Sequence, residues 1–157
     1  MNYARAKKLE LSPTRIDEWL AHVLDEQTIP AGITLVRTLS SGIEVTIDRE
    51  HLRRSVVNIV TNACQTMQEH EGIGGRLTVE TCTADDRLEV HVIDTGPGIP
   101  PDRLERVLEP LYSTKGFGVG LGLPIVKQIM EMHGGGIEIE SKPGEGTRTT
   151  LWLPVGR

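Results

Sequence analysis

A carboxylate, two side-chain amides, a lysine and an alternating run of glycines have the types and spacing that suit phosphate chemistry. Asp94 ends an apolar alternating run and is followed by Thr95-Gly96-Pro97-Gly98-Ile99-Pro100. Further on, Lys115 precedes Gly116, Gly118, Gly120 and Gly122, with Phe117, Val119 and Leu121 between them. Glycines at alternate positions let backbone N–H groups converge on one centre with no Cβ in the way, as a phosphate chain requires. The apolar helical pattern after them offers a helix N-terminus, with unpaired N–H groups and the positive dipole end, to the same anion. Upstream, Asn58 and Asn62 lie four residues apart and so share one helix face. Asparagine is a poor helix former, so two at that spacing need a reason. Either both amides satisfy neighbouring backbone, or they turn into a cleft and complete the octahedral shell of a phosphate-bound Mg²⁺. Asp94, at a strand end, can accept from an exocyclic amine such as that of adenine.

Other phosphate-binding motifs do not match. A dinucleotide fingerprint needs glycines at i, i+2 and i+5, but the i+5 residues here are Leu121, Leu123 and Ile125. A P-loop places its lysine after the glycines, directly before Ser or Thr, whereas Lys115 precedes them. The formal net charge of −5 argues against a nucleic-acid partner, and 3% aromatic residues leave little for base stacking. The two cysteines, Cys64 and Cys82, have neither disulfide-framework nor zinc-motif spacing, which fits a reducing cytoplasm. No apolar run is long enough to span a membrane.

These residues need elements to position them. Residues 1–12 read as a linker, and Ser12-Pro13-Thr14 carries helix-start chemistry before an apolar stripe of Ile16, Trp19, Leu20, Val23 and Leu24. Residues 33–39 and 43–47 alternate as two strands about a Ser40-Ser41-Gly42 turn. Asp48 caps a long helix whose buried stripe is Leu52, Val56, Ile59, Val60, Ala63 and Met67. Residues 77–82 and 88–93 form a hairpin turned at Ala84-Asp85-Asp86. A short helix starts at Pro100-Pro101-Asp102, and a last long helix through Leu121, Ile125, Val126, Ile129, Met130 and His133 is closed by Gly134-Gly135-Gly136. A second hairpin, turned by Pro143-Gly144-Glu145-Gly146, ends the chain. Strands in pairs between helices exclude a parallel doubly wound sheet. They fit a two-layer α/β sandwich: a mixed, mostly antiparallel sheet with three main helices on one face.

Five segments together resemble a known family. Asn58-Ile59-Val60-Thr61-Asn62-Ala63, Asp94-Thr95-Gly96-Pro97-Gly98-Ile99, Pro110-Leu111-Tyr112-Ser113-Thr114-Lys115, the glycine run 116–123 and Gly144-Glu145-Gly146-Thr147 are similar to the N, G1, F, G2 and G3 boxes of sensor histidine kinases. Those boxes belong to the ATP-binding catalytic domain, in the GHKL or Bergerat-fold superfamily, and the likeness covers roughly residues 9–154. The resemblance implies ATP and Mg²⁺ as cofactors, with residues 13–157 as the catalytic domain and 1–12 as a linker or the remnant of a preceding dimerisation helix. It assigns Asp94 to the adenine amine, with Gly96, Gly98 and Ile99 beside the base, and Asn58 and Asn62 to Mg²⁺ and phosphate. Thr114, Lys115, Gly116, Gly118, Val119, Gly120, Leu121 and Gly122 become a lid over the triphosphate. Thr147 supports the adenine end.

Departures sharpen the expectation. Tyr112 replaces the usual Phe, and Gln65 stands where many kinases carry a basic residue. Superfamily members that hydrolyse ATP carry Glu in place of Asn58 as the base that activates water, and an amide cannot take that proton. None of His22, His51, His70, His91 or His133 has the acidic-then-proline context of a phosphoacceptor. The expected function is therefore transfer of the γ-phosphoryl group to a histidine on a separate dimerisation domain, with a response regulator receiver domain downstream. A GHKL serine kinase of the anti-sigma type and a non-catalytic nucleotide sensor are the alternatives. Neither nucleic acid nor a membrane segment is expected, and the expected location is cytoplasmic, with the parent protein either membrane-anchored or free.

Overall fold

The computed structural model describes residues 8–69, 75–109 and 122–155. Its elements are β1 (Ser12–Arg15), α1 (Ile16–Asp25), β2 (Ile33–Leu39), β3 (Glu44–Ile47), α2 (Arg49–Glu69), β4 (Gly75–Ala84), β5 (Arg87–Asp94), α3 (Pro101–Leu104), α4 (Gly122–Met132), β6 (Gly136–Ser141) and β7 (Thr147–Pro154). Five strands form one sheet in the order β2-β4-β5-β7-β6, antiparallel except for the parallel β2–β4 edge pair. One core lies between that sheet and the helices: Leu77, Val79, Leu88, Val90, Val92, Leu151 and Leu153 meet Leu20, Val23, Val56, Ile59, Val60, Val126, Ile129 and Met130. This is the expected two-layer sandwich.

Two local expectations are corrected. The Ser12-Pro13-Thr14 stretch is a strand, because its backbone pairs with β3 in the register Ser12↔Ile47 to Arg15↔Glu44. Helix α1 therefore starts only at Ile16, after an extended Arg15 that makes no side-chain cap bond. Upstream of β1, the Glu10 N–H donates to Asp48 Oδ2 at 2.9 Å. Nor do residues 33–39 and 43–47 close a hairpin: β2 joins β4, while β3 leaves to pair with β1. The connection is held open by Asp17 of α1, whose carboxylate accepts from the Ser41 hydroxyl (2.8 Å), the Gly42 N–H (2.9 Å) and the Thr81 hydroxyl (2.7 Å). Burial alone would raise the Asp17 pKa, but these donors outweigh it and hold the carboxyl below its usual range.

The other elements form as their sequences dictate. Asp85 and Asp86 turn the β4–β5 hairpin at φ 51° and 63°, the left-handed pair that a two-residue turn requires. Gly134 at φ 83° closes α4, with the Gly134 N–H on Glu131 O and the Gly135 N–H on Met130 O. All six stripe residues expected of α2 are buried.

Asp48 sets where α2 begins. Its Oδ1 accepts from the His51 N–H at 3.0 Å, and its backbone carbonyl accepts from the Leu52 N–H. His51 Nδ1 lies 2.9 Å from Oδ2, at ion-pair distance but off hydrogen-bond alignment. Burial of the carboxyl is outweighed by the His51 and Glu10 N–H donors and the His51 ring, so its pKa falls to about 2. A carboxyl depressed in the folded state adds stability above its unfolded pKa, lost as pH falls through the folded value. Asp48→Ala is expected to cost about 2 kcal/mol at neutral pH. Urea unfolding across a pH series should show that deficit shrinking between about pH 4 and about pH 2. A deficit that stays constant through this window would contradict the account.

Candidate functional site

Helix α2 carries the site along one face. Asn58, Asn62 and Thr66 recur every fourth residue, so they line up over about 12 Å of helix. At the Asn58 end stands the N-terminus of α4: a Cβ built on Gly122, the first residue of α4, would lie 3.3 Å from Asn58 Nδ2. At the Thr66 end stands the turn after β5: a Cβ on Gly96 would lie 3.4 Å from both Thr66 Cγ2 and Met67 Cγ. The Thr66 hydroxyl donates back to Asn62 O at 2.9 Å, which turns its methyl toward that glycine. Asn58 and Asn62 are both half-buried.

Asp94 closes β5 and is only 8% exposed. Its Oδ1 accepts from the Gly96 N–H at 2.8 Å, a local turn that returns the chain toward α2. Burial pushes its carboxyl above the usual range, and the backbone N–H donors of Gly96 and Thr147 only partly oppose this. A buried carboxylate with so little compensation is suited to a hydrogen-bond donor supplied by a ligand.

The β6–β7 turn packs on this loop. Thr147 is the cross-strand partner of both Asp94 and Ser141. Ser141 Oγ accepts from the Ile99 N–H (2.8 Å) and donates to Gly146 O (2.9 Å). Its single proton is thereby committed, so the Thr147 hydroxyl, 2.9 Å away, is the donor of that pair and keeps its lone pairs for another partner. Gly98 (φ 81°) and Gly146 (φ 89°) are glycine for a steric reason as well. A Cβ on Gly98 would strike the Lys142 carbonyl, and one on Gly146 the Asp94 carbonyl. Gly98 thus lets the β6–β7 turn approach, a packing role beside the one expected at the base. A cavity of about 550 Å³ borders Asp94, Ser141, Gly146 and Thr147 and runs out past Leu104, Ile139 and Lys142.

Of the expected residues, Asn58 and Asn62 lie on α2 with Gly122 beside Asn58 and Gly96 beside Thr66, while Asp94, Gly98, Ile99 and Thr147 lie where the turn after β5 meets the β6–β7 turn. Thr114, Lys115, Gly116, Gly118, Val119, Gly120 and Leu121 lie outside the described residues. Ser141 and Thr66 were not expected. Thr66 was legible as the next step of the Asn58–Asn62 stripe, whereas Ser141 is recognisable only from strand register.

This sheet order and helix layer are shared with histidine kinase catalytic domains. The nucleotide-free catalytic domain of histidine kinase ThkA superposes with a TM-score of 0.80 at 26% identity, covering 93% of this chain and 96% of that one. Full-length ShkA, solved in complex with AMPPNP, superposes with a TM-score of 0.81 at 28% identity, over 95% of this chain and 32% of that one. Residues 47–157 match the family described as histidine kinase-, DNA gyrase B-, and HSP90-like ATPase, and the chain belongs to that family. It is 38% identical over 112 residues to the sensor histidine kinase ZraS of Escherichia coli O157:H7, which covers 71% of this chain and 24% of that protein. It is 39% identical over 139 residues to the histidine protein kinase DivJ of Caulobacter vibrioides, 85% of this chain and 23% of that one. The chain therefore spans about a quarter of the length of these relatives. Among the described residues no helix is long and apolar enough to cross a membrane.

The raised Asp94 pKa has a consequence for stability. Its ionised form is the one the fold disfavours, so the penalty is present above the folded pKa and vanishes below the unfolded value of 3.8. Asp94→Asn keeps an acceptor for the Gly96 N–H and removes the buried charge. Without nucleotide the variant should melt above the wild type at pH 7, and the gap should close toward about pH 4. A lower melting temperature at pH 7 would show that the carboxylate is net stabilising.

Proposed function

We propose that this chain is the catalytic domain of a sensor histidine kinase, holding Mg-ATP for transfer of the γ-phosphoryl group to a histidine on a separate dimerisation domain. One observation carries the reading: Asn58 and Asn62 face the same side of α2, between the buried Asp94 carboxylate and the N-terminus of α4. The distance from Asn58 to Thr66, about 12 Å along the helix, is on the scale of a nucleoside triphosphate.

Each group then has a task. Asp94 accepts from the adenine amine, and the Thr147 lone pairs, held by Ser141, take a second contact at the same end. Gly96, Gly98 and Ile99 form the wall beside the base. Asn58 and Asn62 offer amide oxygens, a neutral hard-donor set that suits Mg²⁺ whose charge the phosphates already balance. The α4 N-terminus at Gly122 directs its N–H groups and positive dipole end at the phosphates. Lys115, Thr114 and the run from Gly116 through Val119 and Leu121, outside the described residues, are the proposed lid over the triphosphate. Mg²⁺ held by Asn58 and Asn62 would supply charge neutralisation for the phosphates.

The acceptor is proposed to lie on the separate dimerisation domain. Asn58 is an amide and cannot deprotonate water. His51 pairs with Asp48, and the His91 ring lies against Thr150 and Glu89. The His133 ring bridges Ile129 O and the Asp48 N–H. His22 sits on the exposed last turn of α1. The residues upstream of β1 are the proposed connection to a histidine-bearing helix, with a response regulator receiver domain as the next acceptor. The relatives' names support histidine over the serine-kinase and sensor readings.

Incubated alone with Mg-ATP labelled at the γ-phosphate, the chain should turn it over very slowly. Adding the histidine-bearing domain should produce labelled histidine at a rate that rises with that domain's concentration, since phosphoryl transfer depends on positioning the nucleophile. Asn62→Ala should abolish labelling without loss of helix content, alanine being the better helix former. Rapid hydrolysis by the isolated chain, or labelling of one of its own histidines, would overturn the proposal.

A further inference from the structure

The face of the sheet turned away from the helices carries a cluster that the phosphoryl-transfer reading leaves unused. Cys82 on β4 is the cross-strand partner of Glu89 on β5, and His91 follows two residues along on the same face. Among the described residues these three form a grouping whose ligand atoms all lie within 4.8 Å of one another. Cys82 Sγ is 3.8 Å from His91 Nε2 and 4.0 Å from Glu89 Oε1, and the latter two atoms are 3.1 Å apart.

Those separations can be set against a metal's own geometry. Tetrahedral zinc binds sulfur at about 2.3 Å and nitrogen or oxygen at about 2.0–2.2 Å. At the tetrahedral angle this places S···N and S···O about 3.6 Å apart and N···O about 3.4 Å apart. The three observed separations fall within about 0.4 Å of these edges, less than a side-chain adjustment within one rotamer.

The supporting contacts point the same way. His91 is buried, and its Nδ1 lies 2.8 Å from Thr150 Oγ1, leaving Nε2 toward the cluster. Arg87 Nε donates to Glu89 Oε2 at 2.8 Å, leaving Oε1 toward the cluster. Arg87 is itself fixed by Glu138 and by the face of Trp152, 4.6 Å from the ring centroid. Two of the three candidate ligands, His91 and Glu89, are thus oriented by a second group, as metal-binding histidines and carboxylates usually are.

We propose that Cys82, Glu89 and His91 form a three-ligand tetrahedral site for a divalent transition-metal ion of the zinc class, with the fourth position open to solvent. The mix of thiolate, imidazole and carboxylate selects such an ion over Mg²⁺, so this site is chemically separate from the amides of α2. On binding, the Cys82 thiol proton leaves to solvent and the remaining His91 proton sits on Nδ1, donated to Thr150 Oγ1. The 3.4 Å contacts of the Arg148 guanidinium with that nitrogen are then given up. Thiolate and carboxylate balance the charge of the dication. Because the two strands are already paired, the metal adds a clamp between β4 and β5 and should bind the folded chain preferentially.

The test uses the whole chain, stripped of metal with chelator and titrated with Co²⁺ as the coloured stand-in for zinc. One equivalent should give thiolate-to-cobalt charge-transfer absorption that Zn²⁺ then removes, and Zn²⁺ should raise the melting temperature. Cys82→Ser should lose the band and the zinc-dependent shift, while melting like the wild type in chelator. His91→Gln and Thr150→Val should each weaken Co²⁺ binding by about tenfold or more. Should Cys82→Ser fail to fold, Glu89→Gln, which keeps the thiolate and its band, should weaken Co²⁺ binding and shrink the zinc-dependent shift in melting temperature. Unchanged Co²⁺ affinity in that variant would count against the site. No charge-transfer band at stoichiometric Co²⁺, or a band that persists in Cys82→Ser, would overturn the site.

Discussion

The capping of α2 by Asp48 is the interaction on which the rest of the structure depends. Its carboxylate collects the N–H groups of His51 and Glu10, while its own N–H donates to His133 Nε2 at the end of α4. Beside it, Arg49 reaches the Thr14 hydroxyl and Pro13 O of β1. The cap, with Arg49 beside it, thereby ties the start of the long helix to the β1–β3 pair and to the last helix. It also sets the phase of α2. With the helix starting at Arg49, the stripe from Leu52 to Met67 faces the sheet, and Asn58, Asn62 and Thr66 are left on the flank toward α4 and the Asp94 turn.

The site accepts a cost where the fold would prefer none. A carboxylate as buried as Asp94 is normally paired, and here its partners are backbone donors that do not fully offset the burial. Around it the β5 and β6–β7 turns meet so closely that Gly98 and Gly146 leave no room for a Cβ. Ser141 ties the two turns together through Ile99 and Gly146. The result is a closely packed, hydrogen-bonded end on the sheet, the support that a single directed hydrogen bond to a ligand requires.

Much of this was legible residue by residue, and the exceptions share a cause. The α2 stripe, the Asp85-Asp86 hairpin and the glycine stop after α4 rest on local periodicity, turn chemistry and capping, so their sequences suffice. Strand β1 and the parallel placement of β2 rest instead on contacts far apart in the chain, such as Thr81 and Ser41 on Asp17. Helix-start chemistry at Ser12-Pro13-Thr14 lost to the pairing offered by β3. In the site, Asp94, Asn58 and Asn62 were visible from type and spacing. Ser141 was not, because a serine at the end of a strand acquires its role only when register sets it against Thr147. The same holds for Cys82, Glu89 and His91, which lie on two strands and meet only through the β4–β5 pairing.

The central claim is that Asp94 is the acceptor for a ligand's exocyclic amine at one end of α2. Calorimetric titration of the chain with ADP and with IDP, in which a carbonyl replaces that amine, addresses it most directly. The carbonyl would face the buried carboxylate and leave it unpartnered, a loss of about 1.5–3 kcal/mol, or about ten- to a hundredfold in affinity. IDP binding weaker than ADP by at least that lower factor is the expected result. Equal affinity for the two nucleotides would contradict the account.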